Sequence, residues 1–310
     1  MKKGNQGSGF RVQESSPWIG WLWILCVAMA TGCSTPRAGL MDPKIKAFAE
    51  AADVAYQRGE LDRADALYAN ALQRARLTDN GTEIAHNAYN LALCRMASGK
   101  QGEARNLLVQ ARVLMAGKGI EEARILLAEA EAARLAGAAV ESGELARRAV
   151  TAGADREGRI QAQLLQAQAA VVSGNLKDAR IYYLSANDKV SKATVPIIRA
   201  RLDGLAVKLI QAQVMSGDIA AIHLSQAGWL KKAGQFAEMV VALNAAGEAF
   251  EQVENWPQAY NCRIRAAQSL YAAGLRDPAR LAANRAVELA EKTGDINHKA
   301  LAAGILGDLK

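Results

Sequence analysis

Apolar and small residues recur along this chain with the spacing of a helix, and the stretch from Lys46 to Leu77 sets the pattern. Phe48, Ala51, Ala52 and Ala55 fall at i, i+3, i+4 and i+7, one face of an amphipathic helix. Arg58-Gly59-Glu60 breaks the run, and glycine suits the left-handed end of a helix. Leu61, Ala64, Tyr68, Ala71 and Leu72 then rebuild an apolar stripe. The pattern predicts two helices joined by a tight turn. One such hairpin cannot bury both of its faces, so it needs copies of itself stacked against it.

The copies are present. Turn glycines in similar surroundings occur at 99, 137, 174, 217, 234 and 274. A small residue stands seven positions before most of them: Ala52, Ala92, Ala130, Ala167, Ala227 and Ala267. Ala64, Ala104, Ser142, Ala179 and Ala279 lie five positions after. Seven further on come Ala71, Ala111, Ala149, Ala186 and Ala286, with Ala246 matching at the 234 turn. Small residues at fixed offsets let helices approach closely, and Leu61 and Tyr68 fill the spaces between.

These offsets resemble the tetratricopeptide repeat family. Gly59/Leu61/Ala64/Tyr68/Ala71 and Gly174/Leu176/Ala179/Tyr183/Ala186 carry the resemblance best, and it extends over residues 43–310. It implies an all-α solenoid of about fourteen antiparallel helices in six to seven pairs. Two departures stand out. Most glycine spacings lie between 37 and 43, longer than the family's repeat of about 34. The interval of 17 between Gly217 and Gly234 has room for a single helix, so the pairing phase slips there. Helices are expected at 193–216 and 218–233 around that slip. Beyond Gly234 the turns fall at Glu254-Asn255, Gly274 and Gly294, one helix per period.

The first 32 residues are different material. Lys2, Lys3 and Arg11 precede an uncharged apolar run, WIGWLWILCVAMA, from Trp18 to Ala30. A basic start, a short apolar core and small residues read as a secretory signal. The run is shorter than the roughly 20 residues of a comfortable membrane span. Thr31-Gly32-Cys33 resembles the end of a bacterial lipobox, with Ala30 standing where Leu is usual. That resemblance implies a lipid on Cys33, cleavage just before it, and an outer-membrane lipoprotein facing the periplasm, since Ser34 rather than Asp follows. A plain signal peptide with a chance cysteine, and an uncleaved anchor, are the alternatives. The expected division is a signal peptide at 1–32, the acylated Cys33 with a tether at 33–42, and the repeat domain at 43–310.

The formal charge is +7, and removing residues 1–32 leaves +5. Its densest pairs, Arg147-Arg148 and Lys231-Lys232, sit within helices and read as solvated faces. Few aromatics and export from the cytoplasm both argue against nucleic acid as a partner. After processing, Cys94 and Cys262 remain, in distant repeats. Repeats touch only their neighbours, and a disulfide needs Cα atoms within about 7 Å, so both are expected as buried free thiols.

The chain offers little chemistry. His86, His223 and His298 are scattered, with no HxxxH or CxxC for a metal. Lys292-Thr293-Gly294 lacks an SxxK companion, and no GxSxG occurs. No cofactor, metal or catalytic residue is implied. What remains is surface. In the resembled family the first helix of each pair lines a concave groove. Carried over position by position, this implies a partner-binding face of Asp53, Tyr56 and Gln57; His86, Tyr89 and Met96; Arg124, Glu131 and Arg134; and Gln161 and Gln168. In the last pair it adds Asn261, Gln268 and Tyr271. The expectation is a membrane-tethered scaffold that binds a protein or peptide in envelope assembly, secretion or pilus biogenesis. The alternative is a cell-wall enzyme or an activator of one.

Overall fold

A computed structural model describes residues 42–191 and 193–309, so the expectations for the signal, Cys33 and most of the tether lie outside the described residues. The described chain forms fourteen α-helices. The first four are α1 (Pro43–Gln57), α2 (Leu61–Leu77), α3 (Gly81–Ala97) and α4 (Gln101–Met115). Next come α5 (Ile120–Leu135), α6 (Ala139–Thr151), α7 (Arg156–Val172), α8 (Leu176–Asp188) and α9 (Pro196–Gln211). The series ends with α10 (Ile219–Lys232), α11 (Phe236–Gln252), α12 (Trp256–Ala272), α13 (Arg276–Thr293) and α14 (Ile296–Asp308). Each packs against the next as an antiparallel neighbour, and the whole is an all-α, TPR-like solenoid.

Local chemistry sets the helix ends. Asp42 accepts from the Lys44 amide at 2.9 Å with Pro43 at the first helical position, and Asn80, Asp155, Asn175, Asp218 and Asn255 cap in the same manner. The other ends close by a repeated pair of bonds. At Gly59, which has φ +75°, its own amide donates to Tyr56 O and the Glu60 amide donates to Ala55 O. The same closure recurs at Gly99, Gly137, Gly174, Gly234 and Gly274. It satisfies carbonyls that the helix itself leaves open.

The small residues do what their offsets predict. Ala52, Ala92, Ala130, Ala167, Ala227 and Ala267 are completely buried, as are Ala64, Ala104, Ala179 and Ala279. So are Ala71, Ala111, Ala149, Ala186, Ala246 and Ala286. These are the points where neighbouring helices touch. Larger side chains bridge between them, and the core passes from hairpin to hairpin. Tyr68, Leu93 and Leu108 serve α1–α5, Leu126 and Leu165 serve α5–α7, and Leu164, Leu209 and Leu243 carry it from α7 to α12.

The slip in pairing phase is real, and its position needs a correction. Gly217 is not a left-handed turn. The helix expected at 193–216 starts later, at Pro196, and ends at Gln211. Gln213, with φ +59°, takes the left-handed position, and the Val214 amide closes on Leu209 O. Gly217 instead lies beside Ile210, whose Cδ1 would be 2.8 Å from a Cβ at that position. This leaves α9 without a glycine-turn partner of its own. Before it, α3, α5, α7 and α9 touch their next-but-one neighbours; after it, α12 touches α14. Helices that approach their next-but-one neighbours lie on the inside of a curved stack. The inner face therefore passes from odd-numbered to even-numbered helices across α9.

Candidate functional site

The inner face is polar where it meets α9. Glu131, from the last turns of α5, is buried, with its carboxylate between two guanidinium groups. Arg134, one turn on, donates Nη2 to Oε1 at 2.7 Å and Nε to Oε2 at 3.1 Å. Arg201, from α9, donates Nη2 to Glu131 Oε2 at 3.1 Å and to Gln168 Oε1 on α7 at 3.0 Å. Burial pushes the Glu131 carboxyl upward, but the charges of Arg201 and Arg134 outweigh it and hold the group at about 2. It is an anion throughout the physiological range. Three inner helices, α5, α7 and α9, are thereby tied together.

This network forms one side of a cavity of about 550 Å³. The α9 residues Ile197, Ala200, Gly204 and Val207 provide an apolar floor. The far side comes from α10 and α11, through Gln226, Leu230, Gln235 and Ala242. Gly204 matters to its shape, because a Cβ there would stand 2.9 Å from Gln226 Nε2. His223 Nδ1 and Gln226 Oε1 lie 3.3 Å apart, and Lys208 is at the exposed rim. The volume falls in the usual range for ligand pockets, as does the mix of apolar wall and a few polar groups. The opposite face of α9 is occupied structurally. Arg199 stacks on Trp229 at 4.4 Å and donates to Ser191 O.

The structure gathers three of the sequence-derived groove residues here: Glu131, Arg134 and Gln168. The others lie apart from the cavity. Tyr56 and Met96 are core residues, 2% and 5% exposed, packed among Ala52, Leu91 and Leu93. Their place on an inner surface is corrected for a physical reason. On α3, which touches three neighbours, the stripe next to the groove is itself buried, and Tyr56 of α1 joins the same core cluster. Asp53 is half-buried and accepts from the Tyr68 hydroxyl, while Tyr89 packs on the first core cluster with its hydroxyl pKa raised by burial. His86 and Gln161 are half-buried; Gln57, Arg124, Asn261, Gln268 and Tyr271 are exposed.

Arg201, Gln226 and Gln235 were not anticipated from the sequence. All three sit at or beyond the phase slip, where offsets from a turn glycine no longer mark the inner face. Cys94 and Cys262 are both buried free thiols, and burial pushes Cys94 up to about 12. Among the described residues no group of three or more His, Cys, Asp or Glu could hold a metal, and no helix is long and apolar enough to cross a membrane.

No family model matches the sequence, and no curated protein matches it either. Solved structures do resemble the fold. A tetratricopeptide repeat protein from Parabacteroides merdae is 15% identical, covers 86% of this chain and 99% of its own, and has a TM-score of 0.43. The apo form of RapI is 8% identical over 85% of this chain and 95% of its own, with a TM-score of 0.46. The Rap conjugation gene regulator of plasmid pLS20, solved with the Phr* peptide, is 13% identical over 96% and 86%, with a TM-score of 0.44.

Proposed function

We propose that this protein is a non-catalytic scaffold that holds a segment of a partner protein along its inner face. The observation that carries this reading is the α5–α7–α9 network beside an open cavity on that face. A solenoid has no need of a buried ion network for its core, which small apolar residues already fill. A cluster of that kind beside an open, largely apolar cavity suits recognition by shape together with a few polar contacts.

The reading extends to location. The basic start, the apolar run from Trp18 to Ala30 and Thr31-Gly32-Cys33 support a lipoprotein signal, with Cys33 acylated and the solenoid held at a bacterial envelope membrane. Each buried CH₂ of an acyl chain contributes about 0.8 kcal/mol, so several chains anchor durably. The partner is then an envelope protein. Its process is one of assembly, secretion or pilus biogenesis.

Two measurements test the reading. A photo-crosslinking amino acid at Gln168 or Lys208, on the inner face, should trap a discrete partner in cells, whereas one at Arg180 or Ile181, exposed on α8, should not. Adducts from α8 alone would place binding on the wrong face. A clickable palmitate analogue should label wild type and leave Cys33→Ser unlabelled. Equal labelling of both would remove the anchor and leave the groove untouched.

A further inference from the structure

Gln235 is 2% exposed, lines the cavity, and its Nε2 has no hydrogen-bond partner. Such a group is rare, because a buried donor without an acceptor loses its hydration and gains nothing in return. Gln235 stands at the N-cap of α11 and, like Glu60, Lys100 and Leu275 in the equivalent turns, makes no capping bond. The protein keeps an uncompensated donor at the wall of this cavity.

The charges around it narrow what could accept from that donor. Within the cavity, Arg134 and Arg201 are matched by Glu131 and Glu238, and the remaining cation, Lys208, is at the exposed rim. The two arginines are already committed to Glu131. On the α10–α11 side the wall is made by His223, Gln226, Leu230, Val241, Ala242 and Ala245, and the acid in it is Glu238. A carboxylate brought here would lose its hydration beside a like charge, while a neutral carbonyl would not. Gly204 in the same cavity leaves room for the Gln226 side chain, which a Cβ there would meet at 2.9 Å.

Building on the groove reading above, we propose that this cavity is the anchor pocket of the groove. It receives an uncharged aliphatic or aromatic side chain of the partner segment, and the Gln235 amide turns into the cavity so that the main-chain carbonyl of that residue accepts from its Nε2. Val207, Leu230 and Ala242 contact the side chain. The Glu131–Arg134–Arg201 network forms the opposite rim and fixes α5 and α7 against α9, so the opening is preformed.

A blocked photo-reactive amino acid tests this directly. N-acetyl-photoleucinamide carries an aliphatic diazirine and two amide carbonyls and has no charge. Irradiated with the full-length chain in detergent micelles, it should label α9 and α11 saturably in the millimolar range expected of so small a ligand. Excess N-acetyl-leucinamide should compete, and N-acetyl-aspartic acid amide should not. Gln235→Leu, close to isosteric, should cut labelling at least tenfold while its Tm stays at or above wild type, because it removes an unpaired buried donor. Val241→Trp, a change at a position 68% exposed on the cavity mouth, should block labelling without a loss of Tm. Labelling that Gln235→Leu and Val241→Trp leave unchanged would overturn the pocket, as would absence of saturable labelling. Competition by the aspartyl amide equal to or better than the leucyl amide would overturn the uncharged ligand. Each of these outcomes leaves the groove reading to its own test, the cellular crosslinks from Gln168 and Lys208.

Discussion

Arg201 on α9 reaches Glu131 on α5 at 3.1 Å, across 70 residues of sequence and past the intervening inner helix α7. In a stack where repeats meet chiefly their immediate neighbours, this contact spans two hairpins. Gln168 of α7 is held by the same Nη2, so all three inner helices share one guanidinium. The bond occurs where the pairing phase slips and α9 has no glycine-turn partner. Replacing Arg201 by Ala and Glu131 by Ala, singly and together, should give a coupling energy of roughly 0.5–3 kcal/mol in denaturant unfolding. Glu131→Ala alone should be the worse single change, about 3–5 kcal/mol, because it leaves two arginines facing each other. Additive effects would mean that the inner helices are held by packing alone.

The same carboxylate makes stability depend on acid. Glu131 titrates at about 2 in the folded chain against an ordinary value of 4.5. The folded state therefore binds its proton less readily than the unfolded state does. The network's contribution is fully present above pH 4.5 and is lost as pH falls from 4.5 towards 2. The loss is on the order of 3 kcal/mol. In Glu131→Gln this part of the dependence should vanish, so the gap between wild type and variant should shrink as the solution is acidified through that window. A gap of constant size would show that the group titrates normally.

The hairpin architecture could be read from the sequence because two rules act locally. A left-handed helix end strongly favours glycine, and a close helix crossing admits only small residues, so both leave marks at fixed offsets. Ala52, Ala64 and Ala71 illustrate this, each completely buried. Gly217 misled because its surroundings, MSGD, look like those of a turn, while the actual turn uses Gln213. The site was half legible. Glu131, Arg134 and Gln168 follow from the repeat offsets. Arg201, Gln226 and Gln235 do not, because their convergence depends on how far the stack turns at α9, a property of tertiary packing that no local offset carries. Tyr56 and Met96 had the right offset, and both are buried in the first core cluster.

Both cysteines should be inert in the native protein. Cys94 is completely buried and Cys262 is 1% exposed. Burial raises both thiol pKa values, with the charge of Asp65 adding to the rise at Cys94. A thiol-disulfide reagent attacks the thiolate, so low exposure and a raised pKa act in the same direction. With Cys26 and Cys33 replaced by Ser, the native chain should release no chromophore from such a reagent on the minute scale, and two thiols should react once denaturant is added. Rapid reaction of either in the native state would mean that its hairpin opens locally.

The turns themselves give the last test, and it runs in both directions. Gly174 has φ +73° and no atom within 4 Å of where a Cβ would lie, so the obstacle to substitution there is backbone conformation and not space. Gly174→Val puts a β-branched residue in a region that resists it, and should destabilise by roughly 1–3 kcal/mol. Glu254 closes the α11–α12 turn with the same pair of bonds, its amide to Glu251 O and the Asn255 amide to Phe250 O, but from a non-glycine residue at φ +57°. An L-residue in that conformation costs about 1–2 kcal/mol, and glycine offsets this at an entropy cost of about 0.5–1 kcal/mol. Glu254→Gly should therefore stabilise the chain by up to about 1 kcal/mol, although it removes a side chain and adds no contact. Gln213→Gly should do the same at the end of α9. Thermal unfolding of the three variants distinguishes a conformational cause from loss of contacts. If the two glycine substitutions lower Tm as Gly174→Val does, side-chain contacts rather than backbone conformation govern these turns.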